Sequence, residues 1–126
     1  MSDWSPSLTE NHKKFISEQS VFFVATCPKD GRINLSPKGL ADTFQIISDT
    51  CVAYLDFVGS GNETAAHILN DGRMIIMMTS FSRNPMILRL YGRGRFAIKD
   101  STEFNEVKHL FPEDLPAVRQ IIFLDI

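Results

Sequence analysis

A short glycine-containing loop is the first place in the sequence where the backbone itself could bind a ligand. The apolar run Cys51–Phe57 predicts a buried strand, residues 64–69 predict a short helix, and Gly59 and Gly61 between them release the backbone to turn. The first amides of a helix lack intrahelical partners and lie at the positive end of its dipole, so they favour anions. Either an anion-binding loop or an ordinary capped helix is consistent with this pattern. The candidate ligand-binding residues of the loop are Gly61, Asn62 and Thr64.

A strand upstream of this loop has one polar face. Apolar and polar residues alternate over residues 32–36, which predicts a strand whose Ile33 and Leu35 side chains face a core. The polar side chains on the opposite face and at the end of this strand are Arg32, Asn34, Ser36 and Lys38. Pro37 is expected to stop the strand. A single exposed Lys or Arg is usually a solvated surface charge, so a surface role and a binding role are both open here.

Composition limits the classes of function. The 126 residues with 44% hydrophobic content fit one compact domain over residues 1–126. A net charge of −2 argues against a nucleic-acid-binding surface, because phosphate-backbone affinity requires clustered Lys and Arg. The N-terminus has no basic segment followed by an apolar core, and no apolar run approaches the roughly 20 residues that cross a bilayer. We therefore expect a cytoplasmic protein without a membrane or nucleic-acid partner.

The cysteines and histidines do not predict a metal site. Cys27 and Cys51 are expected to be buried free thiols, because a chain without an export signal resides where thiols stay reduced. His12, His67 and His109 are scattered and lack ligand spacing. We expect no bound metal.

The remaining pattern predicts a mainly β domain with flanking short helices. A helix over residues 8–18 is expected to begin in a capping box at residues 7–10. Strands are predicted over residues 21–26, 32–36, 43–47, 51–57, 74–79, 87–96 and 121–126, with a helix after Asp100 and a second short one over 115–118. Gly92 and Gly94 mark a bend or a close backbone approach. An antiparallel sheet of this kind predicts a small barrel, which removes sheet edges by closure.

The last predicted strand is apolar and reaches the final residue, Ile126. Truncation of the chain, disorder beyond this residue, or pairing of the strand with another subunit would each account for it.

Four blocks of sequence, in this order, resemble the pyridoxamine 5'-phosphate oxidase-related flavoproteins. They are Arg32-Ile33-Asn34-Leu35-Ser36-Pro37-Lys38-Gly39, Tyr54-Leu55-Asp56-Phe57, Gly61-Asn62-Glu63-Thr64-Ala65-Ala66-His67 and Leu88-Arg89-Leu90-Tyr91-Gly92-Arg93-Gly94. The resemblance implies the FMN-binding split β-barrel fold, FMN as cofactor, and a homodimer whose two flavins lie at the subunit interface. The small substrate is unknown.

The resemblance also implies which residues bind the cofactor. The strand that carries Arg32, Asn34, Ser36 and Lys38 binds the flavin in similar proteins, and the loop from Gly61 through Asn62 to Thr64 meets it beside the Tyr54 strand. Tyr54 and Asp56 serve either the cofactor or the core. The sequence departs from the true oxidases at two places. Asn62-Glu63 replaces an Arg-Lys pair, so that Lys38 or Arg89 would supply the missing positive charge. The C-terminal Arg-His-Asp-Arg segment of the true oxidases has no counterpart here. Pyridoxal phosphate synthesis is therefore not expected.

Two hypotheses about function follow. In the first, the protein is an FMN-dependent oxidoreductase in which the cofactor carries the redox chemistry. In the second, it is a non-catalytic module that binds flavin or haem on the same fold, with His67 and His109 as haem-ligand candidates. The working unit is expected to be a homodimer with flavin between subunits, because a chain of this size has too little surface to enclose a flavin alone. Tyr91 and Phe96 are the aromatic candidates for that interface.

Overall fold

A computed structural model describes residues 3–59 and 62–126, which form one sheet and several short helices. In chain order the elements are α1 (Glu10–Ser17), β1 (Phe22–Thr26), β2 (Asn34–Lys38), β3 (Phe44–Ser48), β4 (Cys51–Phe57), α2 (Glu63–Asn70), β5 (Arg73–Thr79), β6 (Ile87–Ile98), α3 (Thr102–Val107), a 3₁₀ turn (Lys108–Leu110) and β7 (Val118–Asp125). The sheet order is β2-β1-β5-β6-β7-β4-β3, and all six pairings are antiparallel. The predicted mainly β, antiparallel fold with flanking short helices is confirmed. No helix of the described ranges has the length and apolar character needed to cross a membrane.

The last strand lies in the middle of the sheet. β7 pairs with β4 on one side and with β6 on the other, so that Phe123 stands opposite both Ala53 and Arg95. Ile121 and Leu124 are fully buried, as the apolar run requires of a strand covered on both faces. The alternative in which this strand pairs with another subunit is therefore wrong, because both of its edges are occupied within the chain.

The sheet curls around an apolar interior. The Phe22 ring on β1 meets Phe44 on β3 at 4.9 Å and Tyr54 on β4 at 5.2 Å, although these strands are far apart in the sheet order. The buried side chains of this interior include Val24, Val52, Tyr54, Ile76, Leu90, Ile122 and Leu124. α1 contributes Phe15 and Ile16 to the same cluster. The curled sheet agrees with the predicted barrel.

A second apolar cluster lies outside the sheet, beneath α3. Phe104 of α3 and Phe111 pack against the outward side chains of β4 and β7, among them Leu55 and Phe123. Ser101 caps α3 by accepting a hydrogen bond from the Phe104 amide at 3.3 Å. The second helix predicted over residues 115–118 is not present: this segment is a turn that leads into β7, with Ala117 at φ 62°.

Two glycines let β6 pass close to its neighbours. A Cβ atom on Gly92 would lie 1.9 Å from the Asp125 carbonyl oxygen, and one on Gly94 would lie 2.8 Å from Cγ1 of Ile68 in α2. Of the two predicted alternatives, a bend or a close backbone approach, the close approach is confirmed at Gly92, where the neighbour is backbone, while Gly94 makes room for the Ile68 side chain.

β2 has the predicted alternation but the opposite orientation. Ile33 and Leu35 are 75% and 67% exposed, whereas Asn34, Ser36 and Lys38 are partly buried on the inner side. The expectation that Ile33 and Leu35 face a core is wrong. β2 is an edge strand, which also explains why Pro37 lies inside it, since an edge strand tolerates a missing amide donor.

The first helix begins slightly later than predicted. The capping box is formed by Thr9 and His12, with each backbone amide donating to the other's side chain at 3.1 and 3.2 Å, and not by residues 7–10. The helix ends at Ser17 rather than at residue 18.

Candidate functional site

A polar pocket lies where the inner face of β2 meets the end of β4 and the start of α2. It has a volume of about 300 Å³. It is lined by Asn34, Ser36 and Lys38 of β2, Asp56 and Phe57 of β4, and Gly59, Asn62, Glu63 and Thr64 of the following loop and helix. Three segments that are distant in sequence therefore place their polar side chains together.

One wall of the pocket is a hydrogen-bonded chain centred on Asp56. Gln120 of β7 donates from Nε2 to Asp56 Oδ2 at 2.7 Å and to Asn62 Oδ1 at 3.2 Å. Lys38 Nζ lies 3.9 Å from Asp56 Oδ1, so the two opposite charges compensate each other. Asp56 is 9% exposed, lies beside the lysine and is linked to the loop through Gln120.

Two hydroxyl groups next to this wall lack partners. Ser36 Oγ and Tyr54 Oη are buried and make no hydrogen bond in the described part of the chain. Burial, and after it the Asp56 charge, raises the pKa of Tyr54 far above its ordinary value, while the Thr64 side chain, near the Tyr54 hydroxyl but outside hydrogen-bond geometry, opposes the rise. The tyrosine therefore stays protonated and remains available as a donor. An unsatisfied buried hydroxyl is costly, and its presence at a pocket indicates a ligand or water that completes it.

The start of α2 forms the other side of the pocket. Asn62 occupies the N-cap position but makes no capping hydrogen bond, because its Oδ1 accepts from Gln120 instead. Asn34 Nδ2 donates to Thr64 Oγ1 at 3.3 Å and ties β2 to the helix. The first amides of the helix thus have no side-chain cap, as an anion-binding start would require.

Most of the residues predicted from sequence meet here. Five of them, Asn34, Ser36, Lys38, Asn62 and Thr64, line the pocket, and Tyr54 lies buried beside it. Gly61 lies outside the described residues. Arg32 is exposed and precedes the first residue of β2. Arg89 projects from the outer face of β6 into a different cavity, beside Trp4 and Tyr91.

Sequence reasoning missed part of the wall. Gln120 was not predicted, although it lies between Arg119 and the apolar run of the last strand and is only 3% exposed. A buried amide needs hydrogen-bond partners, but the burial of Gln120 follows from the pairing of β7 with β4 and is not visible in the sequence. For Asp56 the cofactor and core roles were both left open, and the structure places it on the pocket wall.

The chemistry available in the pocket is mainly hydrogen bonding. Lys38 is its one cationic lining side chain among the described residues, against the carboxylates of Asp56 and Glu63. Within residues 3–59 and 62–126 no group of three or more His, Cys, Asp or Glu side chains could hold a metal ion. Such a pocket suits a ligand with several polar edges better than a small multivalent anion.

The two histidines considered as haem ligands lie apart from this pocket wall. His67 Nδ1 is 3.0 Å from the Thr26 hydroxyl, so this ring nitrogen already has a partner. His109 lies in the 3₁₀ turn and lines a cavity beneath α3.

Comparison with known families extends the resemblance seen in the sequence. A model of the family described as pyridoxamine 5'-phosphate oxidase matches residues 8–121. The pyridoxamine 5'-phosphate oxidase family protein ustO of Aspergillus flavus is 40% identical over 123 residues, which cover 95% of this chain and 49% of that protein. The chain therefore spans about half the length of this relative.

Solved structures share the fold at low sequence identity. HupZ of Group A Streptococcus superposes with a TM-score of 0.73 at 15% identity, covering 94% of this chain and 89% of the other. An FMN-binding protein of Syntrophomonas wolfei gives 0.63 at 15% identity, with 89% and 76% covered. HutZ, the haem storage protein of Vibrio cholerae, gives 0.57 at 16% identity, with 91% and 86% covered. The predicted split-barrel fold is confirmed by these neighbours.

Proposed function

This chain belongs to the pyridoxamine 5'-phosphate oxidase family, and from this we propose that it binds FMN in the polar pocket and acts, as a homodimer, as a flavin-dependent oxidoreductase on a small substrate. The flavin would supply the redox chemistry, and the protein would supply binding and orientation. The observation that carries the proposal is the pair of unpartnered buried hydroxyls, Ser36 Oγ and Tyr54 Oη, at a pocket of family residues.

The hydrogen-bonding groups of the pocket suit a flavin. A flavin presents carbonyl oxygens, ring nitrogens and ribityl hydroxyls, and each needs a donor or an acceptor. Ser36, Tyr54 and the uncapped start of α2 offer donors, while the Asp56 carboxylate can accept from a hydroxyl. These side chains would orient the cofactor without any of them taking part in a covalent step.

The charges of the pocket match FMN less well than its hydrogen-bonding groups do. Asp56 and Glu63 oppose a phosphate dianion, and Lys38 is shared with Asp56 at 3.9 Å. We propose that Lys38 and the first amides of α2 meet the phosphate, and that an arginine of a second subunit adds the remaining positive charge. Arg32 and Arg89 are exposed and make no ion pair in the described part of the chain.

The size of the pocket also supports a dimer. At about 300 Å³ it is at the lower end of the range of roughly 300–1,000 Å³ typical of small-molecule sites, and a whole FMN needs more space. Leu35, Ala25, Ile75 and Tyr91 are cross-strand neighbours in one row on the outer face of the sheet, and none of them is fully buried. A second copy seated on this face would cover the row and finish both pockets by two-fold symmetry.

Titration of the purified protein with FMN tests the proposal. The expected result is a shifted flavin absorption spectrum and quenched flavin fluorescence at micromolar concentration, with no comparable response to haem. Turnover of reduced nicotinamide in the presence of FMN would then distinguish an enzyme from a binding module. No heat of FMN binding at micromolar concentration would rule out the cofactor assignment.

Tyr54→Phe is the matched variant for this titration. It removes only the unpartnered hydroxyl, so the ligand-free protein should be as stable as the wild type or more stable, while FMN binding weakens by about 1 kcal/mol. Loss of stability without loss of affinity would place the hydroxyl in a structural role.

A further inference from the structure

A second cavity lies on the other face of β4. It has a volume of about 410 Å³, within the range of roughly 300–1,000 Å³ typical of small-molecule sites. Because side chains alternate along a strand, Leu55 points outward to this cavity while Asp56 points inward to the polar pocket. The two sites share no lining residue among those described, so an inference about this cavity does not rest on flavin binding.

The floor of the cavity is apolar and largely aromatic. Phe104 of α3, Phe111 after the 3₁₀ turn and Leu55 are 5–7% exposed and belong to the outer apolar cluster. Leu115 and Val118 are less buried and form a wall. This surface would bury a compact apolar group such as an aromatic or branched side chain.

The rim of the cavity carries charges of both signs. Lys99 and Lys108 lie on it together with Asp100 and Glu113. None of these four exposed side chains forms an ion pair or a side-chain hydrogen bond with any residue of the described ranges, so each is left to solvent or to a ligand. His109, also on the rim, adds a group that can donate or accept.

We propose that this cavity binds a free amino acid with a large apolar side chain. The side chain would lie on the floor, the carboxylate would meet Lys108, and the ammonium group would meet Glu113, with Lys99 and Asp100 as the second charge of each sign on the rim. A simple organic acid would leave both rim carboxylates without a partner, and a simple amine would leave both lysines without one. A zwitterion with an apolar body matches all three features.

Four ligands separate these features in titrations of the purified full chain. L-Phenylalanine carries all of them, 3-phenylpropionate lacks the ammonium group, 2-phenylethylamine lacks the carboxylate, and glycine lacks the apolar body. L-Phenylalanine is expected to bind at least about tenfold more tightly than each of the other three. The proposal is overturned if L-phenylalanine gives no binding at about 10 mM, or binds no better than glycine.

Two neutralising variants assign the charges. Lys108→Gln should weaken L-phenylalanine about tenfold and leave 2-phenylethylamine unchanged, and Glu113→Gln should weaken L-phenylalanine similarly and leave 3-phenylpropionate unchanged. Lys29→Gln, outside the cavity, is the control, and all three side chains are exposed, so that folding is preserved in each variant. Equal effects of Lys108→Gln on the acid and on the amine would contradict the assignment, as would any effect of Lys29→Gln.

Discussion

The outer face of the sheet has two halves, one over β4 and β7 (the closed half) and one over β2, β1 and β5 (the open half). Both carry apolar side chains, but only those of the closed half are buried. Over β4 and β7 the outward side chains of Ala53, Phe123, Leu55 and Cys51 are at most 7% exposed, because α3 and the segment after it cover them. Over β2, β1 and β5 the outward side chains of Ala25 and Ile75 are only partly buried, and Leu35 stays 67% exposed. This partly exposed apolar face is the one that we propose a second copy covers.

One arginine links the strands of the closed half to the helix that covers them. Arg95 on β6 donates from Nε to Asp125 Oδ2 at 2.8 Å, pairs with Glu103 of α3, and lies 4.1 Å over the Phe123 ring. It therefore links β6, β7 and α3 at the edge of the apolar cluster. Arg89 points outward from the same strand but has no ion-pair partner among the described residues, so it makes no comparable link.

The largest expected effect is the loss of stability when the packing of α3 on the sheet is removed. Phe104→Ala should lower the free energy of unfolding by about 3–5 kcal/mol, because it removes a buried ring between α3 and the sheet. Urea unfolding followed by circular dichroism measures it. Phe81→Ala, at a ring that is 86% exposed, is the matched control and should change stability by less than about 0.5 kcal/mol. Equal losses for the two variants would remove the distinction between a covered and an open face.

The sequence predicted the positions of helices and strands better than it predicted which face of a strand is buried. Strands β4 and β5, the helix after the glycine loop and the close approach at Gly92 were all correct, because local pattern and glycine geometry determine them. The orientation of β2 was wrong, since alternation tells which side chains share a face but not which face is covered. That choice depends on the position of the strand at the sheet edge, which is a property of the whole fold.

The same limit applies to the candidate site. Asn34, Ser36 and Lys38 were found because they share one strand face, and Asn62 and Thr64 because they follow a glycine loop. Gln120 reaches the pocket only because β7 pairs with β4, where it stands opposite Asp56. No local pattern around residue 120 encodes that pairing.

The second prediction tests whether the open face is an interface. Leu35→Lys should raise the dimer dissociation constant about a hundredfold, because two-fold symmetry places two new charges in the apolar patch at a cost on the order of 3 kcal/mol. Sedimentation equilibrium measures the change. Leu69→Lys, on α2 and 77% exposed, is the control and should leave the mass unchanged. A monomeric wild type that still binds FMN tightly would show that the open face is not needed.

The third prediction tests the inner face of β2. Lys38→Ala should weaken FMN by roughly 1.5–3 kcal/mol and riboflavin much less, because only FMN has a phosphate. Isothermal titration calorimetry with both ligands gives the difference, and Lys29→Ala, outside the pocket, serves as the control. Equal losses for the two ligands would move Lys38 from the phosphate to the ring or to support of Asp56.

The smallest expected effect concerns the two thiols, one in each half. Burial beneath the cover, followed by the nearby Asp125, raises the pKa of Cys51 to about 11. Cys27 is a free, partly exposed thiol that follows β1 at the open side. At pH 8, iodoacetamide should therefore alkylate Cys27 and spare Cys51 in the folded protein, with both modified in urea. Mass spectrometry of the digested protein reads each site separately.

The raised pKa also has a consequence for stability. The folded state holds the Cys51 proton more tightly than the unfolded chain, so its contribution is complete below the ordinary thiol pKa and is lost as pH rises toward about 11. Cys51→Ser should keep an uncharged side chain at this position and flatten the fall in stability between pH 9 and about 11. Urea midpoints for the two proteins over this range measure it. An unchanged slope, or rapid alkylation of Cys51 at pH 8, would mean that α3 opens readily and that the two halves differ less than their contacts indicate.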